Sequence, residues 1–372
     1  MRVGIPTEIK NNENRVAITP AGVHELTRRG HDVFIQAGAG LGSGFEDADY
    51  AAQGAKLLAT AEEIWAVGDL LLKVKEPIKA EYKLMRADQV LFTYLHLAAS
   101  RECTEALLAA GTTAIAYETV QLPNRALPLL QPMSEVAGRL SAQIGAYQLM
   151  KNEGGRGVLM GGVPGAPKAK VVVIGGGVAG EHAATMALGM QAEVTVIDIS
   201  LPKLRELDAR FGGQVRTRVS TAYEIAEQLK DADLVIGSVL IPGEKAPKLV
   251  TDEMVKGMKP GSVLVDIAID QGGCFENSRA TTHDDPTYKV HNSIYYCVAN
   301  MPGAVPATST RALTNATLPY VVALAEKGWK AALAADESLA KGLNTHAGKV
   351  TYAGVTHEFP ELPFQELKEA IA

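Results

Sequence analysis

The sequence predicts an α/β chain of two doubly wound parallel-sheet domains, one of them discontinuous, with a cleft between them. Three observations carry this. Apolar, β-prone runs alternate with helical patterns through most of the 372 residues, and such alternation implies parallel sheets with helices on both faces. A strand at residues 171–174 runs straight into Gly175-x-Gly177-x-x-Gly180, followed by a helical run and a second strand that ends on Asp198. From Thr308 the pattern is helical through Ala340, with no strand partner in view. This tail is expected to pack back onto the first domain. The expected domains are 1–130 with 306–372, and 131–305.

Composition narrows the function. A chain that is 47 % hydrophobic and 21 % charged has the make-up of a globular protein with a substantial core. A net charge of −6 provides no overall basic field for nucleic acid. No apolar run approaches the ~18 residues of a membrane span, and the N-terminus lacks the apolar core of a signal peptide. Cys103, Cys274 and Cys297 are far apart and show no CxxC spacing. They fit reduced thiols in a cytoplasm, with no metal site indicated.

In chain order, strands are expected at 2–5, 32–37, 70–74, 90–95 and 114–118, with helices such as 21–29 and 101–110 between them. A long helix is expected at 134–151, where Val136, Ala137, Leu140, Ile144 and Tyr147 suit close packing between domains. Residues 154–165 are glycine-rich and read as a loop. After Asp198, strands are expected at 233–240 and 262–269, near-continuously apolar as buried parallel strands are, and at 290–298. Pro302, Gly303 and Pro306 crowd the second joint between the domains, which fits a hinge.

The glycine turn has a physical reading. Gly175 makes the tight turn, Gly177 lets backbone approach a pyrophosphate, and Gly180 lets the helix pack close to the sheet. A diphosphate would lie on free N–H groups at the positive end of the helix dipole. Asp198 would accept hydrogen bonds from the adenosine ribose and repel a 2′-phosphate, favouring NAD over NADP. The middle of the chain is thus a Rossmann-type NAD domain, and the remainder a Rossmann-like substrate domain.

A nicotinamide cofactor implies hydride transfer. Ligands of open α/β sheets bind outside the carboxyl ends of strands, and four chemically apt residues fall there. Arg15, in the polar loop after the first strand, can grip a carboxylate bidentately. Lys75 lies at the exit of a buried strand. Position alone leaves a surface salt bridge open for both. His96 ends the strand 90–95 and can exchange protons near neutral pH, or it is a structural hydrogen-bonder. Asp270 precedes Gln271-Gly272-Gly273 and could polarise water beside a nicotinamide, or form a turn.

Several stretches together resemble the alanine dehydrogenase and pyridine nucleotide transhydrogenase family. They are Gly4-Ile-Pro-Thr-Glu8 with 12–20, Lys73-Val-Lys-Glu-Pro77, Tyr94-Leu-His-Leu97, Met133-Ser-Glu-Val-Ala-Gly138, the 171–180 turn with 194–198, and Met301-Pro-Gly-Ala-Val-Pro306. The resemblance covers nearly the whole chain. It implies a soluble, cytoplasmic, NAD-dependent enzyme that interconverts L-alanine with pyruvate and ammonium, assembled as a homohexamer. It implies substrate binding by Arg15 and Lys75, and catalysis by His96 and Asp270. It places Ser134, Val178, Asp198, Lys203, Ser220, Val239, Leu240, Ile267, Ala268, Ile269, Asp270, Arg279, Val298, Ala299, Asn300 and Met301 against NAD. The alternative is the NAD(H)-binding subunit of a transhydrogenase, which would need a membrane partner. The chain departs from the family at Gln191, where glycine is common and a small conformational cost is expected. It departs again at Ala323 and Lys327, which cannot serve as the metal ligands some relatives carry there.

Overall fold

The computed structural model describes residues 1–239 and 246–372. The chain forms two compact units, Met1–Met133 with Val305–Ala372, and Ser134–Ala304. In chain order the strands are β1 (Arg2–Ile5), β2 (Asp32–Gln36), β3 (Lys56–Leu58), β4 (Leu70–Leu72), β5 (Val90–Thr93), β6 (Thr113–Ala116), β7 (Lys170–Ile174), β8 (Glu193–Asp198), β9 (Arg216–Val219), β10 (Leu234–Gly237), β11 (Val263–Asp266), β12 (Thr287–Val290), β13 (Ser293–Tyr296), β14 (Leu343–His346) and β15 (Lys349–Val350).

The first unit is built on an eight-stranded sheet of order β15-β14-β6-β5-β4-β1-β2-β3. The strands from β3 to β6 are parallel, whereas β14 is antiparallel to β6 and β15 to β14. The tail therefore adds strands as well as helices to this unit, contrary to the expectation that it has no strand partner. The residues of β14 do not read as a strand, because polar Asn344 and Thr345 interrupt it. Both are satisfied inside the fold: Asn344 Nδ2 donates to Thr119 Oγ1 at 2.7 Å, and Thr345 Oγ1 to the Thr112 carbonyl at 3.1 Å.

The second unit has a seven-stranded sheet of order β12-β13-β11-β10-β7-β8-β9, parallel except for β12 against β13. The single strand expected at 290–298 is instead a hairpin. The chain reverses at His291, which takes the left-handed backbone (φ 51°) that a tight turn requires. The central strands are buried on both faces. Val171, Val173, Val194 and Val196 join one apolar cluster, and Val172, Ile174, Ile197 and Val235 another. Each such side chain contributes about 1.5–3 kcal/mol by leaving water, which explains their near-continuous apolar pattern.

The helix Gln131–Gln148 packs closely through its small residues. A Cβ on Gly145 would stand 2.4 Å from Leu234 Cδ2, and one on Gly138 2.2 Å from the Ala179 carbonyl oxygen. Gln191 follows the helix Val178–Gly189 with φ 65°. A side chain there costs on the order of 1 kcal/mol that glycine would avoid. Among the described residues, no helix is long and apolar enough to cross a membrane.

Candidate active site

In the first unit the strand order reverses between β1 and β4, and the loops leaving β1, β4 and β5 carry Arg15, Lys75 and His96. An open sheet leaves a crevice for ligands at such a reversal. Arg15 is not a surface residue. Its side chain is 1 % exposed and pairs with Glu13, which is 0 % exposed. Arg15 Nε lies 2.7 Å from Glu13 Oε1, Nη2 lies 2.5 Å from Oε2, and the Arg15 amide donates to Oε1 at 3.0 Å. Arg15 Nη1 also reaches Met133 Sδ at 3.1 Å. Burial opposes the guanidinium charge, but Glu13, Tyr94 and Glu8 outweigh it and raise the pKa above its ordinary value.

The two lysines of the motif at 73–77 have different environments. Lys73 is fully buried between Glu8 (3.0 Å) and Glu81 (2.8 Å). Burial works against its charge, and the two carboxylates overcome that and raise its pKa. Lys75 is 5 % exposed and makes no ion pair among the described residues. Its backbone is pinned: Glu8 Oε1 accepts the amides of Val74 (2.5 Å) and Lys75 (3.4 Å), while Thr93 Oγ1 donates to the Lys75 carbonyl at 3.0 Å. Next to it, Glu76 pairs with Lys10 through Oε1, and its buried Oε2 has no hydrogen-bond partner among the described residues. Burial raises the Glu76 carboxyl, but Lys75, Lys10 and His96 outweigh it and hold the pKa below its ordinary value. Lys75, Glu76 and His96 thus share one electrostatic neighbourhood.

His96 has a left-handed backbone (φ 49°, ψ 39°), which costs a non-glycine residue about 1–2 kcal/mol. Its ring lies nearly parallel to that of Tyr94, with centroids 5.9 Å apart and an interplanar angle of 12°. Tyr94 is itself held by its hydroxyl, which donates to the Leu129 carbonyl.

The second unit reverses its strand order between β7 and β10. Gly175 (φ 99°) leads out of β7, and a Cβ there would meet Val239 Cγ2 at 2.9 Å. A Cβ on Gly180 would be 1.8 Å from the Gly175 carbonyl oxygen, so the helix can approach the strand only as glycine. A Cβ on Gly177 would meet nothing within 4 Å. Gly177 is the N-cap of the helix Val178–Gly189, and no side chain caps it. This leaves the helix start available to an anion. Asp198 Oδ2 accepts the Gly176 amide at 2.6 Å, and Oδ1 the Ser200 amide at 2.7 Å. An ionised carboxylate has lone pairs left for further donors. The residues present fit a dinucleotide.

Several of the remaining candidates also lie just past the carboxyl ends of strands. Ser220 follows β9 and donates its amide to the Asp198 carbonyl at 2.9 Å, tying two strand ends together. Val239 follows β10, whereas Leu240 lies outside the described residues. Ile267, Ala268, Ile269 and Asp270 form a 3₁₀ turn after β11. Asp270 is exposed, and its Oδ1 accepts the Asn300 amide at 3.3 Å. Val298, Ala299, Asn300 and Met301 follow β13. Ser134 lies in the first turn of the helix Gln131–Gln148. Lys203 and Arg279 have protein partners: Lys203 Nζ pairs with Glu181 (3.1 Å) and Glu206 (2.9 Å), and the Arg279 guanidinium lies over the Tyr288 ring, 4.1 Å from its centroid.

Sequence reasoning missed the carboxylates beneath these residues, namely Glu8, Glu118 and Asp266. Asp266 is fully buried and accepts from Ala268 N (3.1 Å), Cys274 N (2.9 Å), Phe275 N (3.3 Å) and Ser278 Oγ (2.5 Å). It clamps the loop that carries Asp270. The available signal was an acid inside the apolar run 262–269, where burial demands partners.

Comparison with known proteins agrees with this geometry. Residues 4–137 match the N-terminal domain, and residues 141–353 the C-terminal domain, of the alanine dehydrogenase/PNT family. The chain is 65 % identical, over 100 % of both sequences, to the alanine dehydrogenase of Mycolicibacterium smegmatis. A solved L-alanine dehydrogenase superposes with a TM-score of 0.92 at 53 % identity, covering 97 % of this chain and 99 % of that one. A transhydrogenase from Sinorhizobium meliloti follows at 0.81 and 29 % identity, covering 94 % of this chain and 100 % of that one. The chain belongs to the alanine dehydrogenase/PNT family.

Proposed function

We propose that the protein is an NAD-dependent L-alanine dehydrogenase: L-alanine, NAD⁺ and water give pyruvate, ammonium and NADH, reversibly. The observation that carries this is the presence of two kinds of strand-end edge in one chain, one in each unit. One presents Arg15, Lys75 and His96 at adjacent strand ends, and the other an uncapped, glycine-lined helix start beside Asp198. Bound at that second edge, NAD⁺ would supply the hydride acceptor. Arg15, held in place by Glu13, anchors the substrate carboxylate. Lys75 hydrogen-bonds a substrate oxygen. His96 accepts a proton as water adds to the iminium and delivers one as ammonia leaves. Asp270 orients the attacking water or the nitrogen. Positioning and electrostatics supply most of the acceleration.

The wider identification of NAD-contacting residues, from Ser134 to Met301, rests on family resemblance. So does the homohexamer. Three free, buried cysteines suit a cytoplasmic enzyme. The transhydrogenase alternative belongs to a more distant relative, at 29 % identity. The deciding experiment follows NADH formation by absorbance with L-alanine and NAD⁺. Alanine-dependent NADH is expected. Its absence, with NADH still bound, would favour a transhydrogenase-type binding subunit.

A further inference from the structure

Glu118 lies just past β6, beside the end of β5. Its carboxylate accepts two consecutive amides from the neighbouring strand's exit. Leu95 N is 3.1 Å from Oε1 and 3.3 Å from Oε2, and His96 N is 2.6 Å from Oε1. No cation forms an ion pair with Glu118 among the described residues. The two amides belong to the step at which the chain leaves the sheet and turns left-handed at His96 (φ 49°). A non-glycine residue in that region persists only where its surroundings hold it. Here one side chain takes two consecutive donors, which a continued strand would have turned to opposite sides.

We infer that Glu118 is a positioning residue for His96: its carboxylate holds the left-handed turn at 95–96 and so aims the imidazole, which lies alongside Tyr94. The inference rests on the proposed role of His96 as the proton carrier. Glu118 acts through reach and not through charge. Oε1 alone accepts both amides at 3.1 Å or less, so a glutamine oxygen at the same place can do the same. An aspartate keeps the charge but is one methylene too short.

The test uses full-length enzyme and measures kcat and KM for pyruvate, NADH affinity by fluorescence, and melting temperature. Glu118→Gln should keep kcat near the wild-type value. Glu118→Asp should lower kcat roughly ten- to a hundred-fold, the scale of a misplaced catalytic group, with NADH affinity unchanged. In a His96→Ala background, Glu118→Asp should lower kcat no further, because the group it aims is already gone. An active aspartate variant with an inactive glutamine variant would overturn the inference. So would losses that multiply in the double variant, which would show Glu118 acting independently of His96. Should His96→Ala itself keep wild-type kcat, the proton-carrier role falls, and the inference with it. Should His96→Ala lower kcat severely but measurably while the losses still multiply, only the inference falls.

Discussion

Replacing Asp198 should change which dinucleotide the enzyme takes. In the structure each carboxylate oxygen is committed to one backbone amide, Gly176 at 2.6 Å and Ser200 at 2.7 Å. These bonds fix the carboxylate beside the glycine turn and leave lone pairs for ribose hydroxyls. Loss of a charge-assisted hydrogen bond is worth about 1.5–3 kcal/mol, so Asp198→Ala should weaken NADH binding roughly ten- to a hundred-fold. For NADPH the balance is different. A 2′-phosphate near the carboxylate meets about 1–4 kcal/mol of repulsion per charge pair at 4 Å, between the dielectric of water and that of a protein surface. Asp198 is half-buried, which favours the lower part of that range. The wild type should therefore prefer NADH by about two orders of magnitude, once the lost ribose bonds are added. Alanine removes the repulsion and the ribose bonds together, so the gap should close mainly through weaker NADH binding. Asp198→Asn separates the structural part, since its amide oxygen can still hold one of the two backbone amides. Fluorescence titration with NADH and NADPH, alongside kcat/KM for both oxidised forms, reads these effects. Wild-type enzyme that binds NADPH as tightly as NADH would refute the placement of Asp198 on the ribose.

Three further outcomes follow from the buried charges of the first unit. Lys75→Ala should lower kcat/KM for pyruvate roughly ten- to a hundred-fold with NADH affinity intact; unchanged kinetics would make Lys75 a structural lysine. Lys73→Met should instead unfold the protein more easily, by about 3–5 kcal/mol in urea titration, because Glu8 and Glu81 lose their shared cation. A neutral result would mean that the Lys73 cation does not hold the fold through those carboxyls. Glu76→Gln should destabilise at neutral pH but progressively less in acid. The folded carboxyl titrates below its ordinary value of 4.5, so its contribution is present above 4.5 and lost as pH falls through the folded value. Urea titrations of both proteins at neutral pH and well below 4.5 check this, and a difference that does not shrink in acid would count against it.

Much of the fold was legible because burial on two faces leaves a plain signature. The strands β7, β10 and β11 are continuous apolar runs, and a parallel sheet covered by helices requires that. The glycine turn was legible because two of its glycines have a steric reason within the fold, as the short Cβ contacts at Gly175 and Gly180 show. The strand β14 was not, because its polar residues find partners only after the chain has folded around them. The hairpin at His291 was hidden for a related reason: a left-handed turn on histidine lacks the glycine or asparagine-glycine signal that marks such turns.

The strand ends show where reading from periodicity fails. Expected strands at 70–74, 90–95 and 262–269 each overrun the observed β4, β5 and β11. Apart from Lys73 and Ser262, the overrun residues are apolar or β-prone, so pattern alone would continue the strand. The chain leaves the sheet because a carboxylate captures its amides. Glu8 takes Val74 and Lys75, Glu118 takes Leu95 and His96, and Asp266 takes Ala268. Each capture lies at a strand exit and next to a side chain named as a candidate: Lys75, His96 or Asp270. Burial drives the Asp266 carboxyl toward protonation, against the donors of Ser278, Phe275 and Cys274 that favour its charge. A carboxylate kept in so apolar a place is expensive unless its bonds have a task. Here the shared task is geometric. The sheets supply rigid strand ends, and an acid holds the backbone at each exit: Glu8 and Glu118 reach in from other strand exits, and Asp266 is the last residue of β11 itself. The candidate site is therefore specified by two sets of residues. The cations, the histidine and the exposed aspartate are visible in motifs. The acids that aim them become visible only when the strands are laid side by side.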